Sequence, residues 1–225
     1  MLKSGEIVDR VTRRSSGFQI VCPHFAGLSA EEADLVGCLP IGDANGAMLA
    51  AAGSLGDDDE VYAGILAADP FRPAPMLIGL LREAGVRAVI NLPTVAGITH
   101  GIAQALSHAG AGYAAELATL AQAAEQGLNV MAVVVTAEQA RLAAATGIRQ
   151  MLVYPAVIDG ASSNRSDAAA MAEDVVRTIR QTAPGATVLA FRHPDYGPIL
   201  APLIAASDGA VEWAVSGREA KKPTG

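Results

Sequence analysis

Three short stretches combine residue types that can do chemistry at usable spacings. ILAADPFRP (65–73) sets Asp69 and Arg72 around Pro70, directly after an apolar run. Pro70 fixes the path between them. The planar fork of donors on Arg72 suits a carboxylate or phosphonate. GDAN places Asp43 and Asn45 in one turn, and NLPTVAG places Asn91 and Thr94 after the next apolar run. Each has a plain alternative. Asp69 and Arg72 can pair with each other or cap the next helix, Asp43 can be an N-cap, and Asn91 can satisfy a turn.

Further along, Tyr113 and Glu116 open a helical pattern. A glutamate one turn into a helix complements the N-terminal dipole, whereas in a closed, desolvated pocket it can act as acid or base. His100 shares the loop after Thr94 and reads equally as a surface residue. FRHP ends a late apolar run, so Arg192 is a second anion anchor and His193 the best-placed histidine for proton transfer. Tyr154 closes another run. SGRE, with Ser216 and Arg218, offers backbone N–H groups to an anion. His108 and Trp213 read as structural, and Cys22 and Cys38 read as small buried thiols before nucleophiles.

These residues need elements to position them. Apolar runs at 18–25, 60–67, 87–92, 129–135, 150–155, 187–192 and 209–215 read as strands. They are continuous in hydrophobicity, as expected of strands covered on both faces. Helical patterns lie between them at 75–85, 113–127, 136–147 and 166–185, with Thr136 and Ser166 as N-caps and Gly85, Gly127 and Gly147 as C-terminal stops. The alternation fits a doubly wound sheet or a (β/α)8 barrel. PHFAGLSAEE after the first run lacks G-x-G-x-x-G, which favours the barrel.

The expectation is one α/β domain over 1–225, a TIM-type barrel whose first strand is missing or atypical. Residues 1–17 read as a helix around EIVDRVTRR. A gap of that kind exposes strand edges, so self-association into a homo-oligomer is expected, as it is from apolar helix faces such as MLIGLL.

LPIGDAN (39–45), DPFR (69–72), NLPTVAGI (91–98), AGAGYAAELATLAQAAEQGL (109–128) and TAEQARLAAATGI (136–148) follow one another in an order and spacing that resembles the phosphoenolpyruvate hydrolase-like TIM-barrel family, which also forms one domain of the larger Tm-1-like proteins. The family begins with an extra strand and a Gly-rich loop ahead of the region that here starts at Gly17. After its sixth strand it tends to carry His and a Gly/Thr-rich loop, where this chain reads YPAVIDGASSNRSD. The resemblance implies chemistry on phosphoenolpyruvate-like or 2-oxo acid substrates.

Composition narrows the classes. A net charge of −7, with no basic block interleaved with aromatics, argues against nucleic acid as a partner. The N-terminus has no signal-peptide pattern, and no apolar run approaches the roughly 20 residues that span a bilayer. A cytoplasmic protein without a membrane partner is expected. Lysine occurs only at 3, 221 and 222, which removes a Schiff-base mechanism within the barrel. Asp43, Asp69 and Glu116 could hold Mg²⁺ with waters, although no spacing demands a metal.

The expected function is a lyase, hydrolase or isomerase acting on a small anionic 2-oxo acid or enol. Asp43, Asn45, Arg72, Asn91, Thr94, Tyr113, Arg192 and Ser216 bind the substrate; Asp69, Glu116 and His193 do the acid and base work. The alternative is a ligand-binding or interaction module of the same fold without turnover.

Overall fold

The computed structural model describes residues 3–13, 17–33, 42–56, 58–98, 100–155 and 165–216. Cys38, residues 156–164 and SGRE beyond Ser216 lie outside the described residues, as does the side chain of His100. Eight parallel strands close into a barrel in chain order. They are β1 (Lys3–Val8), β2 (Phe18–Val21), β3 (Val61–Ile65), β4 (Ala88–Asn91), β5 (Asn129–Val134), β6 (Gln150–Val153), β7 (Thr187–Arg192) and β8 (Gly209–Trp213). Among the described residues, the helices with both ends placed are α1 (Ala44–Ala51), α2 (Ala74–Glu83), α3 (His100–His108), α4 (Tyr113–Glu125), α5 (Ala137–Ala145), α6 (Arg165–Thr182) and α7 (Ala201–Ala206).

The first strand is present, which corrects the reading of residues 1–17 as a helix. KSGEIV pairs with β2 from Gly5↔Phe18 to Val8↔Val21 and with β8 from Lys3↔Gly209 to Ile7↔Trp213. Ile7, Val8 and Val11 do fit a helical face. The open ladders of β2 and β8 decide the matter, because each offers a row of backbone partners that a helix would leave unpaired. Gly5 makes the approach possible, since a Cβ there would overlap the Phe18 ring. With the sheet closed, an exposed edge no longer gives a reason for self-association. The face of MLIGLL is also covered: Leu77, Ile78 and Leu81 are buried, and Met76 is exposed.

Alternate strand residues sort into two cores. Val21, Val61, Ala63, Ile65, Val89, Val134, Val153, Val188 and Ala190 join the helices in the outer layer. Ile7, Ile20, Cys22, Ile90, Leu92, Val133, Leu152, Leu189, Phe191 and Val211 fill the barrel. This two-residue period decides which polar side chains beyond the strand ends face the mouth.

The helix stops stand as read from the sequence: Gly85, Gly127 and Gly147 all have positive φ. Thr136 caps α5 in a capping box with Gln139. Ser166 is not a cap, because α6 already includes Arg165. Among the described residues, no helix is long and apolar enough to cross a membrane.

Candidate functional site

At the C-terminal ends of β3 and β4, two asparagines extend the sheet with their side chains. Asn45 of α1 donates to the Leu66 carbonyl at 2.9 Å and accepts from its N–H at 3.0 Å, acting as a ladder partner just past β3. Asn91 accepts from the Val133 N–H at 2.8 Å, beyond the last β4–β5 pair at Ile90↔Met131. Both amides are buried, where an unpaired backbone group would be costly.

Asn45 also donates to Asp69 at 2.9 Å. The other Asp69 oxygen accepts the N–H groups of Phe71 at 2.8 Å and Arg72 at 3.2 Å, which shapes the DPFR turn. Arg72 returns to Asp69 at 3.3 Å and grips Asp43 with both terminal nitrogens, at 2.7 and 2.6 Å. Asp43 caps α1 through the Gly46 N–H. The Arg72 hydrogen bond, then the Gly46 N–H, hold the Asp43 carboxyl below its usual range, and the same pairing with Asp43 raises Arg72. The guanidinium therefore already faces two carboxylates in a rim network that ties the β3–α2 loop to α1.

Glu116 is fully buried on α4. One oxygen accepts from Asn91 at 2.7 Å and Thr94 at 2.6 Å, and the other from the Val95 N–H at 2.8 Å. Burial raises its carboxyl from the usual 4.5 to about 7, against the pull of these three donors. Tyr113 donates to the Val133 carbonyl at 2.8 Å, and burial, then the nearby Glu116, push its phenol well up. Gln139 holds the same loop from α5 through the Ala96 carbonyl at 2.8 Å. Val89 lies in the outer layer and Ile90 inside, so Asn91 takes the outward register. Glu116 is a clamp within the barrel wall.

The interior side of the mouth is aromatic. Tyr154 stacks on Phe191 with centroids 4.4 Å apart. His193 meets Phe191 at 5.4 Å, Tyr154 at 6.5 Å and Tyr196 at 5.1 Å, all near edge-on. Phe191 reaches Trp213 at 6.5 Å, Trp213 reaches Phe25 at 5.6 Å, and Phe25 lies against His24 at 4.1 Å. A chain with four Phe, four Tyr and one Trp thus concentrates its rings beyond β2, β6, β7 and β8.

His193 is only 3% exposed. Its Nδ1 lies 3.2 Å from the Asp195 N–H and 3.7 Å from the Asp195 carboxylate.

The remaining sequence candidates fall elsewhere. Arg192 has the outward register and pairs with Glu212 at 3.3 Å. The Ser216 N–H donates to the Asp9 carboxylate at 3.1 Å. His108 is exposed on α3. Asp43 and Asp69 share Arg72 while Glu116 takes other partners, so the three do not form one cage. Among the described residues, no group of three or more His, Cys, Asp or Glu side chains forms that could hold a metal ion. Cys22 faces inward, 3.8 Å from the Leu92 carbonyl, and burial raises its thiol. Sequence reasoning missed His24, Phe25 and Tyr196. Counting by twos from Leu189 and Phe191 leads to His193; from Phe18, Ile20 and Cys22 it leads to His24 only if carried past the end of β2 and through Pro23.

Residues 16–192 match the family described as phosphoenolpyruvate hydrolase-like. A protein from Sinorhizobium fredii (strain NBRC 101917 / NGR234), described as uncharacterized protein y4oT, is 33% identical over 135 residues, which cover 59% of this chain and 68% of that protein. Among solved structures, a proposed phosphonomutase from Burkholderia cenocepacia J2315 superposes with a TM-score of 0.51 at 15% identity, over 93% of this chain and 86% of that one. That likeness speaks to the fold.

Proposed function

We propose that this chain, which belongs to the phosphoenolpyruvate hydrolase-like family, is an enzyme that moves a proton on a small 2-oxo acid or phosphoenolpyruvate-like substrate at the C-terminal mouth of the barrel. The observation that carries the reading is His193. It is a buried imidazole beyond an inward-facing strand register, held at Nδ1 by Asp195 and walled by Tyr154, Phe191 and Tyr196. In this reading Nδ1 carries its proton toward the Asp195 carboxylate, 3.7 Å away, and Nε2 takes the proton at C3 of the 2-oxo acid. The C3–H electron pair becomes the C2=C3 bond, and the carbonyl π pair settles on oxygen. The reverse step returns the proton. Asp43, Asn45, Asp69 and Arg72 hold the rim, and Asn91, Thr94, Tyr113 and Glu116 hold the wall that shapes the mouth.

The test incubates wild type and His193→Asn with phosphoenolpyruvate, pyruvate and oxaloacetate in D₂O, followed by ¹H and ³¹P NMR. Wild type is expected to exchange C3 protons or form product, and the variant to lose a factor of roughly 10²–10⁴. Equal turnover by the two would sink the assignment. A second reading, a binding module without turnover, draws on the way Arg72 and Glu116 are already engaged by protein groups. Thermal stabilisation by one of these compounds with no change in its spectrum would favour it.

A further inference from the structure

His24 takes part in none of the hydrogen-bond networks above. It follows β2 in the turn Pro23–Phe25, where its ring lies against Phe25 and, through Phe25, next to Trp213. Both ring nitrogens are shut off from solvent, and among the described residues neither has a hydrogen-bond partner. Buried polar atoms are rarely left so, and an exception calls for an explanation, of which a catalytic role is one. Burial also holds the ring neutral, its pKa lowered to about 4. A neutral imidazole carries one N–H donor and one lone pair. The ring contacts that run from His24 through Phe25, Trp213 and Phe191 end at His193, so both histidines belong to one aromatic wall.

We propose that His24 is a catalytic residue whose N–H donates a hydrogen bond to the carbonyl oxygen of the bound 2-oxo acid and to the enolate oxygen that replaces it. This rests on the reading of the mouth as a proton-transfer site. A neutral imidazole polarises a carbonyl without giving up its proton, and its donor is most useful in a dry site aimed where charge develops. The division of labour follows: His193 carries the proton and His24 steadies the oxygen. Because the donor is already desolvated, no water has to be stripped from it when the substrate arrives.

The experiment uses oxalate, a planar mimic of the pyruvate enolate, with wild type, His24→Phe and His24→Gln. Phe keeps the ring shape and removes the two unpartnered nitrogens, so His24→Phe should melt no lower than wild type. Oxalate affinity by calorimetry should fall roughly tenfold or more in His24→Phe. In wild type, oxalate should bring up a downfield imidazole N–H resonance that is absent from the variant. Unchanged affinity in both variants would overturn the role of His24 and leave the His193 reading standing. If His24→Phe misfolds, His24→Gln and the wild-type resonance still decide. Failure of oxalate to bind wild type would overturn both.

Discussion

Glu116 sits where two demands conflict. Three donors favour its ionised form, and complete burial opposes it. Burial wins, and the carboxyl rises to about 7. Below pH 4.5 the folded and unfolded chains both hold this proton. Between 4.5 and 7 the unfolded chain releases it while the folded chain keeps it, so stability falls as pH rises through that window and levels off above it. The drop is of the order of 3 kcal/mol. Urea denaturation from pH 4 to 8 should show it in wild type and lose it in Glu116→Gln; parallel curves would mean an ordinary carboxyl. The sequence did show Asn91, Thr94 and Glu116 as polar residues near strand ends. It could not show that all three turn toward one another, because Glu116 comes from a helix whose docking only the folded barrel defines. His24 lay open to the opposite error. Its Pro-containing turn breaks the strand and hides the two-residue count.

At the scale of elements, the mouth loop 91–98 is fixed by two helices at once. α4 reaches it through Glu116 and α5 through Gln139. Gln139 has two duties, since its carbonyl oxygen also accepts from Val135 and Thr136 at the start of α5. Thr136→Ala removes one cap and should cost about 1 kcal/mol. Gln139→Ala also leaves the Ala96 carbonyl without this partner and should cost about 1 kcal/mol more. Chemical denaturation of both variants gives the ranking, and equal costs would mean that α5 does not secure the loop. The capping box and the helix stops were legible because each is a local pattern. The tie from Gln139 to Ala96 spans 43 residues, and no local pattern announces it.

At the scale of the whole molecule, closure depends on a strand of six residues. Seven strands were plain from their apolar runs, whereas KSGEIV carries one lysine, one glutamate and a glycine and draws its strand character from its two neighbours. Removal of residues 1–8 leaves β2 and β8 with bare edges and uncovers the interior beside Phe18 and Val211. Circular dichroism and size-exclusion chromatography should find the truncated chain unfolded or aggregated. A monomer with native melting would show that the other strands suffice. The sorting of alternate residues into two cores also explains why the strand-end motifs lie at the C-terminal end of the barrel and largely on its outer wall. Asn91 and Arg192 follow outward residues, and His193 follows inward ones.

The pairing of β1 with β8 has a consequence for synthesis. β1 ends at Val8 and its second partner begins at Gly209, so a ribosome adding roughly 5–20 residues per second leaves that edge of the nascent sheet open for about 10–40 s. β1 can pair with β2 early, but its second edge has no partner until β8 has been made.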